Sequence, residues 1–181
     1  MVFVDTDAGF ISHAKYPLGL SKRNNTLLAN VELMVFHSLF FRVFVNATED
    51  ETRVIKALQF VARTNEFKRL MSTGYHGNPI VILEAILGKK TEIDAFFDRL
   101  SPDDLKKIVD TLERRTDDEG FIYFRFDKQS AYLEKLVLTD AEDVIAVKGK
   151  VKVYPSTHDR AIEKSKEYFE TLIKRKSSKL D

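Results

Sequence analysis

The densest polar constellation in the sequence is Arg125, Asp127, Lys128 and Gln129, placed where a strand pattern gives way to a short helix. Against RNA, the two cations would neutralise phosphate and the Gln129 amide would meet a base edge or a 2′-hydroxyl, while Asp127 would hold its neighbours by capping the helix. A capped turn carrying a surface ion pair explains the same four residues. Upstream, His76, Gly77 and Asn78 lie in a turn-rich stretch where glycine lets backbone amides approach an anion and an imidazole can stack on a base or donate to phosphate. The competing reading is a tight turn in which Asn78 bonds its own backbone and Pro79 stiffens the next strand. Lys148, Lys150 and Lys152 share one parity of a strand whose other parity is Val147, Gly149, Val151 and Val153, so three ammonium groups line one sheet face. They either meet phosphates or protect a solvated edge strand. Tyr123 and Tyr154 are the aromatic candidates for stacking on bases near these cations.

Catalytic chemistry is poorly served. His13, His37, His76 and His158 have no zinc-ligand spacing, and no nucleophile-elbow, zincin, dinucleotide-binding or kinase pattern occurs. The GxxxxGK[ST] loop of phosphate-binding NTPases is absent. The sequence has no cysteine, which excludes disulfides, thiolate zinc sites and thiol catalysis and fits a reducing compartment. Asp103 and Asp104 fall in a predicted first helical turn, where carboxylates favour the dipole, and Asp117, Asp118 and Glu119 read as a turn. Metal chemistry needs carboxylates that converge, so a metal-dependent nucleic-acid-processing enzyme is the third reading, and neither cofactor nor metal is expected.

The elements that must position these groups form one domain. Residues 1–31 lack periodicity and read as an irregular arm or extension, residues 32–175 as the domain, and 176–181 as a frayed tail. Phe36 to Ala47 is a largely buried strand, with Phe40, Arg42, Phe44 and Asn46 on one parity and Leu39, Phe41, Val43 and Val45 on the other. Thr48 and Glu51 form a capping box for a helix with Val54, Ile55, Leu58, Val61 and Ala62 inward. Met71 to Pro79 reads as a loop and Ile80 to Leu87 as a strand. Thr91 and Ser101 are N-cap candidates for two short helices, with Pro102 suited to the first helical position. Phe121 to Phe126 and Asp143 to Tyr154 alternate as strands, Asp127 caps a short helix over Gln129 to Lys135, and a last helix runs from about Asp159 to Lys174. Four or five strands with helices between them predict an α+β fold, a small antiparallel or mixed sheet with helices mainly on one face. The other face would then be open.

Lys+Arg 29 against Asp+Glu 28 gives a formal net charge of +1, so nothing global points to nucleic acid. Locally the chain is asymmetric: residues 121–181 carry 13 basic and 10 acidic side chains, and residues 89–119 carry 7 and 10. No apolar run approaches a membrane span, and the first residues lack a basic start followed by an apolar block, so a cytoplasmic location is expected.

Three segments then carry a resemblance: VNATEDETRVIKAL at 45–58, GYHGNPI at 74–80, and YFRFDKQSAYLEKLVL at 123–138 followed by DVIAVKGKVKVYP at 143–155. Over residues 36–172 they are similar in order and spacing to the archaeal RNA-binding family described as predicted exosome subunits. The resemblance implies a ribosomal-protein-L5-like fold, RNA binding without catalysis, and structured or single-stranded RNA and exosome or other RNA-processing proteins as partners. With that function, Arg125, Asp127, Lys128, Gln129, His76, Gly77, Asn78, Lys148, Lys150 and Lys152 are the residues expected to bind RNA. The sequence departs from the family pattern at Leu133-Glu134, where a small residue, often Gly, is expected. The leading alternative is a protein adaptor that docks another component of an RNA machine through the acidic helices at 91–115 or through the exposed sheet.

Overall fold

The computed structural model describes residues 34–73 and 77–178. The predicted arm at 1–31, residues Gly74, Tyr75 and His76, and the last three residues lie outside this description. Five strands and six helices follow in the order β1 (Phe36–Val45), α1 (Glu51–Ala62), β2 (Lys68–Thr73), β3 (Pro79–Leu87), α2 (Lys90–Phe97), α3 (Pro102–Asp110), α4 (Leu112–Arg115), β4 (Phe121–Asp127), α5 (Lys128–Tyr132), β5 (Val144–Val151) and α6 (His158–Ser177). The sheet order is β2-β3-β1-β5-β4 and every pairing is antiparallel. Of the two sheet types expected, this is the antiparallel one.

The period-2 pattern of β1 decides which face is covered. Leu39, Phe41, Val43 and Val45 are buried, whereas Phe40, Arg42 and Phe44 are exposed. The covered side holds an aromatic cluster in which Phe36 stacks on Phe97 with centroids 4.9 Å apart, and Phe124 and Phe169 pack edge-on nearby. A bulge makes this possible. The β1–β5 register shifts between Phe36 and Ser38, so Phe36 returns to the core side, opposite Val151. Gly149 supplies the space, since a Cβ there would lie 2.9 Å from the Phe36 ring.

Several boundaries differ from the sequence reading for local reasons. Helix α1 is capped by Asp50, whose carboxylate accepts from the Thr52 amide at 2.9 Å, two residues after the predicted Thr48 cap. Glu51 is drawn away from any capping box by Arg69, which donates Nε to it at 2.6 Å and holds its carboxyl below the usual range. Similarly α2 begins after Lys89, whose amide is accepted by Glu92, so Thr91 is already inside the helix. The Ser101–Pro102 start of α3 stands as read, with Ser101 Oγ accepting from Asp104 N at 3.0 Å. Residues Lys68 to Thr73, half of them assigned to a loop, form edge strand β2. Helix α6 continues through Ser177, because Lys176 Nζ donates to the Asp98 carbonyl at 2.6 Å and Ser177 Oγ to Ile173 O at 3.1 Å.

Candidate nucleic-acid interface

Strand register assembles the uncovered face as rows of side chains running across the sheet. One row is Tyr123, Lys148, Phe40 and Ile86, from β4 through β5 and β1 to β3. The next is Arg125, Ala146, Arg42, Glu84 and Lys68, crossing all five strands. Beyond the first row lie Phe121, Lys150 and Ser38, and beyond the second Phe44, Ile82 and Leu70. Five cations therefore share a surface with large apolar groups that no helix covers among the described residues: Phe40 is 40% exposed, Phe44 46%, Ile86 54% and Tyr123 39%. Tyr123, Lys148, Phe40, Ile86, Arg42 and Glu84 line a trough of about 850 Å³.

The charges are held in place by different means. Lys148 Nζ lies 3.8 Å from the Phe121 ring centroid and 5.2 Å from that of Tyr123, and Lys150 Nζ lies 4.1 Å from that of Phe121. The Tyr123 hydroxyl is the main influence raising the Lys148 ammonium above its ordinary range, against slight burial, with Asp117 and Glu119 adding to it. Asp117 itself accepts from the Tyr123 hydroxyl at 2.8 Å and from the amides of Glu119 and Phe121. That carboxylate builds the turn into β4. Lys150 donates to the Glu119 carbonyl at 2.6 Å and to Ser156 Oγ at 3.1 Å. Arg42 is paired with Glu84 at 2.6 Å, whereas Lys68 and Arg125 have no ion-pair partner among the described residues.

The residues singled out in the sequence separate into three groups. Arg125, Lys148 and Lys150 come together on the open face. Lys152 lies one residue past β5, exposed, its amide donating to Val35 O at 2.7 Å. The edge-strand reading of these lysines is corrected, because β5 lies between β1 and β4. Asp127, Lys128 and Gln129 stand at the end of β4, where Asp127 caps α5 by accepting from Ser130 N at 2.6 Å. Here the phosphate role expected of Lys128 is corrected. Its side chain is 3% exposed, with Nζ 2.7 Å from Glu49 and 2.5 Å from Asp143 and donating to Phe44 O at 3.1 Å. All three donors are spent inside the fold. Gln129 is exposed and reaches the Asp143 carboxylate at 3.5 Å. Gly77 (φ 79°) and Asn78 belong to the β2–β3 connection, at the opposite end of the sheet from Lys148 and Lys150, and His76 lies outside the described residues.

Phe40, Arg42, Phe44, Lys68 and Glu84 were not among the candidates. The signal for three of them was present in the alternation of β1, whose apolar density concealed that one parity faces outward.

Residues 38–151 match the family model described as RNA binding. An RNA-binding protein of Pyrococcus abyssi is 33% identical over 144 residues, spanning 74% of this chain and 94% of that protein. A DUF54 protein from Methanothermobacter thermautotrophicus superimposes with TM-score 0.64 at 30% identity, covering 77% of this chain and 98% of the other. A DUF54 protein of Archaeoglobus fulgidus gives TM-score 0.64 at 34% identity over 73% of this chain and 98% of its own. Since the model match takes in β1 through β5 and the relatives are covered almost end to end, this chain belongs to the RNA-binding family.

Proposed function

We propose that this chain is a cytoplasmic, non-catalytic RNA-binding module that receives RNA on the open face of its sheet. The observation that carries the reading is the grouping of Lys68, Arg42, Lys148, Lys150 and Arg125 with Phe40 and Tyr123 on the sheet face that no helix of the described residues covers. Cations there neutralise phosphates, and exposed rings and aliphatic chains accept bases. Asp127, Lys128 and Asp143 act behind this surface by fixing the end of β4 and the start of β5. Lys152, Gln129, Gly77 and Asn78 lie on its margins, where they contact flanking RNA. The sequence resemblance adds a setting, RNA processing alongside exosome-type proteins.

The test is equilibrium binding to single-stranded and hairpin RNA across a salt series. Replacing Arg125 and Lys148 by Gln should weaken binding and shallow the log–log salt slope by about 1.4, two phosphate contacts at about 0.7 each on a single strand. Replacing Lys106 and Lys107, exposed lysines of α3, should change neither. Absence of binding at low salt, or equal loss from both pairs, would reject the sheet face and favour an adaptor docked through the acidic helices.

A further inference from the structure

Most of the open face is cationic or apolar, yet a carboxylate stands in its central row. Glu84 sits in the central row, between Arg42 of β1 and Lys68 of β2. Arg42 directs both its Nε, at 2.8 Å, and an Nη, at 2.6 Å, to the same carboxylate oxygen, Oε1. The second oxygen, Oε2, has no hydrogen-bond partner among the described residues. The two side chains keep 59% and 24% of their surface accessible, so neither is sealed off. A carboxylate on a face that collects phosphates lowers affinity for the backbone, and its presence there calls for a ligand group that donates.

Resting on the RNA-binding reading above, we propose that the Arg42–Glu84 pair selects an unpaired guanine. The neighbouring row offers Phe40 and Ile86, both exposed, as the platform on which the base lies. Successive outward residues of a strand are roughly 7 Å apart, so a base on Phe40 directs one edge at Arg42 and Glu84. Guanine alone presents an acceptor, O6, followed by two adjacent donors, N1–H and N2–H, on its Watson–Crick edge. Remaining guanidinium N–H groups of Arg42 donate to O6, and the Glu84 carboxylate accepts from N1–H and N2–H. Adenine and cytosine turn ring acceptors toward the carboxylate, and uracil supplies one donor between two acceptors. A paired guanine has this edge occupied, so the site takes single-stranded or looped RNA.

The experiment uses the full chain and short CA-repeat RNAs whose central nucleotide is G, inosine, A or U. Wild type should bind the G oligonucleotide about ten-fold more tightly than the A or U versions, with inosine, which lacks the N2 amine, between them. Glu84→Gln should abolish this discrimination while binding the A oligonucleotide at least as well as wild type, because a negative charge has left the face. Binding of all four RNAs with equal affinity, or discrimination that survives Glu84→Gln, overturns the guanine site and leaves the RNA face standing. Failure of every oligonucleotide and of a long mixed-sequence RNA to bind at low salt overturns both.

Discussion

At the scale of single residues, the turn from β4 into α5 decides what Lys128 can reach. In the string Arg-Phe-Asp-Lys-Gln it looks like a phosphate ligand beside Arg125, yet the turn from β4 into α5 swings it inward to Glu49 and Asp143. Glu49 comes from 79 residues away in sequence, which no local pattern could announce. Glu134 is the opposite case, a departure visible in the sequence whose physical meaning the backbone supplies. It adopts φ 57°, and the bonds Glu134 N to Ala131 O and Lys135 N to Ser130 O form the helix-ending motif that ordinarily takes glycine at this position. A left-handed conformation costs a non-glycine residue about 1–2 kcal/mol, and glycine returns part of that through chain entropy. Glu134→Gly should therefore stabilise the protein by about 0.5–1 kcal/mol, measured by chemical denaturation.

At the scale of elements, strands and helices with one buried side declared themselves, and those lacking one did not. Strand β2 has all six residues exposed, so it carries no alternation to detect and is defined only by its pairing with β3. The bulge at the start of β1 was equally hidden, since it depends on Gly149 meeting Phe36 from another strand. The start of α6 depends on a contact of the same long-range kind. His158, its first residue, lies 3.3 Å from the Asp159 carboxylate and 3.3 Å from the Glu113 carbonyl at the α4 turn. Asp159 first, and then the carbonyl, raise the imidazole above its ordinary value of 6.5 despite the unfavourable helix N-terminus. A raised folded-state value means that protonated His158 stabilises the native chain below the unfolded pKa, and that this contribution fades as pH rises through the folded one. Thermal unfolding of wild type and His158→Ala should accordingly differ more at about pH 5.5 than at about pH 8.5.

At the scale of the whole molecule, the α+β class and the covering of one sheet face followed from strand alternation between helical segments. Strand order could not be read that way, and order decides which side chains meet: β5 lies beside β1, and this brings Lys148 next to Phe40 and Tyr123. Lysines placed at an edge would meet solvent, whereas lysines placed centrally among exposed rings make up the face proposed to receive RNA. The most direct test is ultraviolet cross-linking of the full chain to single-stranded RNA, with the attached residues located by mass spectrometry. Attachment should concentrate on β1 and β4, at Phe40, Phe121 and Tyr123, and stay low over α2, α3 and α6. Cross-links gathered on the helical layer, with the sheet face unmarked, would contradict the account.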